Sequence, residues 1–239
     1  MALPKLITPH FKLTLPSSGE KIEYRPFLVA EEKILLTAME SNTDEDMILA
    51  LKQLIKNCII SDIETEKLPI FDMEYIFTQL RAKSISNIII LNAKMKGCKE
   101  ESCPKTVKFE LDLHDLEIKR DENHTTKIEL TATDGIVLKY PSLSLLSTYN
   151  DAKDSVDSMY KMIIDCIDYI YDAETTYSSN DHTESELMEY LNILSHKQFE
   201  DITNFFKTMP SIQKTFEVTC PKCNKKETVV VSGLNSFFG

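Results

Sequence analysis

The chain has 239 residues, 38 of them acidic and 27 basic, for a formal net charge of −11. A pI near 5.0 argues against duplex nucleic-acid binding, which needs a basic stripe and a domain pI above ~9. Five glycines leave almost no inventory for a Gly-rich phosphate-cradling loop, while 42% hydrophobic and 27% charged residues are the proportions of a globular chain that buries a core.

The segment Met1 to Pro9 has no basic n-region followed by an apolar h-region, so no secretory leader is expected. The longest apolar runs, such as Ile88-Ile89-Ile90-Leu91, fall far short of the ~20 residues that span a bilayer. The expectation is a protein that is not membrane-bound and stays in the cytoplasm where it is made. In that reducing compartment the six cysteines read as core residues, metal ligands or redox residues rather than disulfides.

Residues 10–25 alternate apolar and polar side chains (Phe11, Leu13, Leu15, then Ile22 and Tyr24) around Pro16-Ser17-Ser18-Gly19, which predicts a β-hairpin. From Ala30 the period lengthens, with Ile34, Leu35, Ala38 and Met39 at helical spacing until Ser41-Asn42. A second helix starts at the N-cap Thr43, with Asp46 at the capping-box position and Met47, Ala50, Leu51, Leu54, Ile55, Cys58 and Ile59 on one face. A third is predicted from Asp72 to Lys83.

Four β segments follow: Ile88 to Leu91, Val107 to Leu111, Thr126 to Leu130 and Ile136 to Leu138, with a polar exposed turn from Lys119 to His124. After Tyr140-Pro141 the spacing of Val156, Met159, Tyr160, Ile163, Ile164, Ile167 and Ile170 predicts one long helix. Shorter helices are predicted over 184–194 and 196–208, the second ended by Met209-Pro210. The last thirty residues return to β. The fold class is therefore α+β, organised as an N-terminal β-hairpin (1–29), a helical subdomain (30–85), a β-rich module with the first cysteine pair (86–141), an acidic helical segment (142–210) and a C-terminal β-hairpin with a CxxC and an aromatic tail (211–239). Residues 151–190 carry 11 acidic and 2 basic side chains. They read as a solvated helix face with an exposed loop over Asp172 to Glu184, or as a surface for a basic partner.

Cys220-Pro221-Lys222-Cys223 is a CxxC ahead of a β-rich run, the form of a zinc knuckle in which a tight turn aims two thiolates at one metal. Cys98 and Cys103 make a second pair, CxxxxC, also between strands. Four thiolates suit tetrahedral Zn²⁺, and two knuckles on adjacent hairpins would make a zinc ribbon, here split by 116 intervening residues. Such a centre carries a net charge of −2, and Lys94, Lys96, Lys99, Lys105, Lys222, Lys225 and Lys226 surround the two pairs. The same lysines could instead touch nucleic acid, and two merely reduced pairs or a redox CxxC remain as alternatives. The redox form belongs at a helix N-terminus, whereas this CxxC precedes a strand. Cys58 and Cys166 lie on apolar helix faces and read as small core residues.

Catalytic signatures are missing: there is no HExxH, GxSxG, P-loop, GxGxxG, EF-hand loop or kinase motif. The histidines His10, His114, His124, His182 and His196 have no histidine partner at helical spacing and read as exposed or capping residues.

Several segments together carry a family resemblance. They are Leu3-Pro4-Lys5-Leu6 through Pro9, Tyr24-Arg25-Pro26-Phe27-Leu28-Val29 with Glu31-Glu32-Lys33, Ala38-Met39-Glu40-Ser41, Leu80-Arg81-Ala82-Lys83-Ser84, Tyr140-Pro141, Ile167-Asp168-Tyr169-Ile170, Phe205-Phe206 with Met209-Pro210, Cys220 to Cys223, and Leu234-Asn235-Ser236-Phe237-Phe238. In this order they resemble the T-even-type bacteriophage baseplate protein family over essentially the whole chain. The resemblance implies a non-enzymatic myovirus tail protein, a baseplate hub subunit or a hub assembly factor. It would meet other hub and tail proteins in the host cytoplasm during assembly and, if retained, in the virion baseplate. For such a protein the tail Leu234 to Gly239 offers Phe237 and Phe238 as candidate anchors on a partner; docking on the chain's own domain is the competing reading.

Overall fold

In the computed structural model, which describes residues 7–41, 43–98, 102–149 and 156–233, the first alternating stretch forms an antiparallel pair. Strand β1 (Phe11–Thr14) runs against β2 (Lys21–Tyr24), with Leu13 opposite Ile22. Gly19 closes the turn at φ +73°, a conformation cheap only for glycine, and its N–H donates to Leu15 O at 2.9 Å. The tail residues Phe237 and Phe238, and Lys99 beside the first cysteine pair, lie outside the described residues.

The chain divides into two units: Met1–Thr65, Phe71–Lys119 and Ser211–Gly239 form one, Glu66–Ile70 and Arg120–Pro210 the other. In the first, helices α1 (Val29–Ser41), α2 (Asp44–Cys58) and α3 (Ile70–Ser84) follow the hairpin. Thr43 caps α2 by accepting from Asp46 N–H at 3.2 Å. The Asp46 carboxylate takes the Thr43 hydroxyl hydrogen at 2.8 Å, whereas the longer Glu of a full capping box reaches the backbone N–H. α3 buries Phe71, Met73, Ile76, Phe77 and Leu80 together with Asp72, Glu74 and Thr78, so most of its circumference is inside. Ser17 at the hairpin tip donates its N–H (3.0 Å) and its hydroxyl to Asp72, whose charge lies in the first turn of the helix.

The strands of this unit build two further small sheets. β3 (Ile88–Lys94) pairs with β4 (Thr106–Asp112), and β10 (Ser211–Thr219) lies between β11 (Lys226–Ser232) and β5 (Glu117–Lys119). The three-residue β5 was not expected, and its last residue, Lys119, falls in the turn predicted over Lys119 to His124. It is too short to show an alternation of its own and is a strand because Ile118 pairs with Ile212.

The second unit holds a four-stranded antiparallel meander, β6 (Lys127–Glu129), β7 (Gly135–Leu138), β8 (Ile167–Tyr171) and β9 (Thr176–Ser178), with α4 (Leu143–Tyr149), α5 (Val156–Asp165), α6 (Glu184–Asn192) and α7 (His196–Thr208). Its core joins Ile128, Ile136 and Leu138 to Ile163, Ile164, Ile167, Ile170, Leu187, Leu191, Ile202 and Phe205.

One prediction fails here. The helix expected to run to Ile170 stops at Asp165, and residues 167–171 are a strand. The three-residue spacing of Ile167 and Ile170 imitates a helix because of a bulge: Leu138 faces Ile167 and Val137 faces Tyr169, which leaves Asp168 as the extra residue. Both isoleucines therefore point inward from one strand. Cys166 sits at the junction, fully buried, rather than on a helix face.

His124 also departs from its exposed reading. It is half-buried between Tyr140 and Phe205, with ring centroids at 5.6 and 5.2 Å. Its Nδ1 lies 2.9 Å from Thr208 Oγ1 and its Nε2 2.9 Å from Tyr140 OH. Thr208 gives its own hydrogen to Asn204 O, so Nδ1 is the donor and Nε2 the acceptor of a neutral ring. Loss of solvent lowers the His124 pKa, outweighing the opposing field of Asp121.

Candidate metal centre

Both cysteine pairs sit in the connections of hairpins in the same unit. In the β3–β4 connection Met95 N–H donates to Lys105 O at 3.0 Å, enclosing Cys98 and Cys103. In the β10–β11 connection Cys220 N–H donates to Lys225 O at 2.8 Å and Asn224 N–H to Cys220 O at 3.0 Å. Asn224 adopts φ +54°, a left-handed turn position that Asn tolerates better than most residues. That turn folds the backbone N–H groups of Cys223 and Lys222 onto the Cys220 sulfur.

The structure brings the two pairs together across the long insertion: the sulfurs of Cys98, Cys103, Cys220 and Cys223 all lie within 4.8 Å of one another. Cys98 and Cys223 Sγ are 3.6 Å apart, well beyond the ~2.05 Å of a disulfide. Sulfurs arranged tetrahedrally at ~2.3 Å from a central ion have edges of ~3.8 Å, so these four residues fit a single metal ion. Among the described residues no other group of three or more Cys, His, Asp or Glu side chains is placed to hold one.

The surroundings are apolar below and cationic around the turns. Ala93, Met95, Val218 and Cys220 are buried as a cluster, with Val107, Phe109, Phe216 and Val229 packed against it. Phe109 of β4 meets Phe216 of β10 with ring centroids 5.2 Å apart. Lys222 Nζ donates to Ser102 O at 3.0 Å and Lys225 Nζ to Gly97 O at 2.7 Å. These two lysines of the second knuckle thus grip the backbone of the first. At Gly97 a Cβ would come within 2.4 Å of Lys225 Nζ, so the absent side chain makes room for that grip. Lys226 pairs with Glu217 instead, and Lys94, Lys96 and Lys105 are exposed.

The N–H groups of Cys223 and Lys222 pull the Cys220 thiol down to about 6. Loss of solvent, and then hydrogen bonds with the Cys223 and Cys220 sulfurs, push Cys98 up to about 12 and Cys103 up to about 11. Without a cation the four groups do not all ionise, because their charges repel at this distance. The two remaining cysteines are chemically quiet: burial raises both Cys58 and Cys166 to about 12. The CxxC stands in a β-turn between two strands and not at a helix N-terminus, so the lowered Cys220 owes its thiolate character to the turn's N–H groups rather than to a helix dipole.

Sequence reasoning missed the lysine grips and the left-handed Asn224. The Asn directly after the CxxC was the available signal for the latter. For the former no local pattern exists, since Lys222 and Ser102 are 120 positions apart.

A family model described as T4 bacteriophage base plate protein matches residues 8–239. No curated protein and no solved structure matches. The extent of the family match, which takes in the helices, both cysteine knuckles and the acidic unit, places this chain in the T4 bacteriophage base plate protein family.

Proposed function

We propose that this protein is a non-enzymatic tail component, a structural subunit or assembly-promoting factor of the baseplate hub, acting through contacts with other hub and tail proteins. The observation that carries the reading is the family match over residues 8–239. Its place of action is the host cytoplasm during assembly and the tail baseplate of the virion; no described helix is long and apolar enough to cross a membrane. The reading predicts that the purified chain forms a stable complex with other baseplate proteins of the same phage, seen as co-elution on size exclusion. A chain that stays alone in every combination, together with normal tails from a phage lacking it, contradicts the proposal.

Within that role, Cys98, Cys103, Cys220 and Cys223 hold one structural Zn²⁺ as a split zinc ribbon. Four thiolates satisfy the coordination of zinc and leave no open position for water or substrate. When bound, the ion supplies a cross-link and a positive charge. The chain's own residues do the rest: two N–H groups hold Cys220 as thiolate, and Lys222 and Lys225 keep the loops facing each other. Phe237 and Phe238 are proposed as anchors on a partner. Deleting residues 234–239 tests this: lost assembly with an unchanged melting temperature supports it, and a large loss of stability favours docking on the chain's own unit.

An adaptor that contacts nucleic acid through the knuckle lysines has less support. Lys222 and Lys225 are engaged by carbonyls and Lys226 by Glu217, and the chain's net charge is −11.

A further inference from the structure

The acidic unit contains a groove of about 540 Å³, within the ~300–1,000 Å³ range of sites that take small molecules or side chains. Its floor is apolar, made by Ile170, Leu187 and Leu194, and Tyr171, Tyr177 and Tyr190 supply aromatic walls. Ile193, also a lining residue, is 78% exposed and extends the apolar surface of the groove outward. Three carboxylates, Asp134, Asp172 and Glu186, line the groove beside Thr131, His182 and Gln198, with no lysine or arginine among the lining residues.

Those carboxylates are fixed in place without being neutralised. Asp172 accepts from Glu174 N–H and Thr175 N–H, each at 2.8 Å, and from Tyr177 OH at 2.8 Å. Glu186 accepts from Thr183 N–H and hydroxyl, each at 2.8 Å, and His182 Nδ1 lies 4.0 Å from its Oε2. Asp134 accepts from Thr131 and Thr133 hydroxyls. Among the described residues no Lys or Arg ion pair involves any of the three. The walls already bind a cation in one place, since Lys127 Nζ lies over the Tyr171 ring at 4.8 Å from its centroid.

Apolar floor, tyrosine walls and a rim of pinned carboxylates without a Lys or Arg partner match one ligand chemistry. We infer that this groove docks a short cationic, apolar segment of a partner protein, with an aliphatic side chain on the Ile170–Leu187 floor and Arg or Lys groups against Asp172, Glu186 and the tyrosine faces. The acidic surroundings steer such a segment: the unit has 18 acidic and 8 basic side chains. This goes beyond the hub role and stands on the groove alone, so it is tested without any tail protein.

The probe is a twelve-residue synthetic peptide of alternating Arg and Leu, labelled for fluorescence anisotropy, with a Glu/Leu peptide of the same pattern as control. Intact protein binds the Arg/Leu peptide in a salt-sensitive way and does not bind the control. Asp172→Asn with Glu186→Gln keeps the hydrogen-bonding shapes and weakens binding at least tenfold. Ile193→Ser at the exposed edge removes apolar contact without adding charge or touching the core, and it too weakens binding, with amide shifts in the intact complex confined to residues 130–134, 170–177 and 186–198. Equal binding of both peptides, binding untouched by these variants, shifts centred elsewhere, or tighter binding of single-stranded nucleic acid than of the peptide each overturns the inference.

Discussion

The two units of this molecule achieve cohesion by different means. The unit that carries the cysteines has 20 acidic and 19 basic side chains, nearly balanced, while the other has 18 and 8 and thus holds almost all of the chain's net charge. The balanced unit contains sheets of two or three strands, and a two-stranded hairpin is marginal in water without something to pack on. Its β3–β4 pair meets the β10–β11 pair through four convergent thiols, two lysine grips and one aromatic contact. The acidic unit has a four-stranded meander and an isoleucine-rich core that includes Phe205. A core of that size tolerates a self-repelling surface, and that surface is left free to attract. The first unit also holds most of the largest fully buried side chains, Tyr24, Phe77, Leu51, Leu54 and Ile76 among them. The difference teaches that the thiols gather at the hairpin ends lying outside that core, while the net charge lies on the unit with the smaller one.

The sharpest way to break this contrast is Cys223→Ser. Structural zinc contributes on the order of 10 kcal/mol in small modules, so the variant should lose metal and lose hydrogen-exchange protection in residues 88–112 and 211–232. Amides from 163 to 205 should keep theirs. Loss of protection throughout, or nowhere, would contradict the division of labour. The converse change is Phe205→Ala, at a side chain 2% exposed, where deleting a buried aromatic costs ~3–5 kcal/mol. Denaturant melts followed by exchange should place that loss in the acidic unit, with zinc content unaltered.

Acid should separate the units more gently. Lost solvent holds the folded pKa of His124 below the ~6.5 of a solvated imidazole, so the folded state takes up its proton later than the unfolded state does. Its contribution is therefore fully present above about 6.5 and is lost as pH falls through the lower, folded value. Denaturation midpoints of the acidic unit at pH 7.5 and 5.5 should differ, and His124→Gln should shrink that difference. The smallest effects belong to the helix caps. Thr183 and Ser195 each form a reciprocal capping box, with Glu186 and Gln198. Replacing either by Ala should cost about 1 kcal/mol, read as a shifted unfolding midpoint without loss of metal.

Much of the architecture was legible in the sequence wherever one local period ruled. The first hairpin, α2 with its Thr43 cap, and α6 and α7 before Met209-Pro210 follow from spacing and end signals alone. Reading failed where two residues from one strand share a face only through a bulge, as with Ile167 and Ile170, because a three-residue interval carries a helical meaning by default. The cysteine pairs could be singled out by chemistry, yet their convergence depends on strands far apart in sequence. The groove stayed invisible for the same reason, since Tyr171, Tyr177 and Tyr190 come from β8, β9 and α6 and one of those was misread as helix.

The measurement closest to the centre of this account is the zinc content of protein purified without chelator, beside a variant in which Cys98, Cys103, Cys220 and Cys223 are all replaced by serine. The account predicts about one zinc per chain in the first and none in the second. Protein that folds normally with no zinc, or a variant that binds as much as the parent, would contradict it.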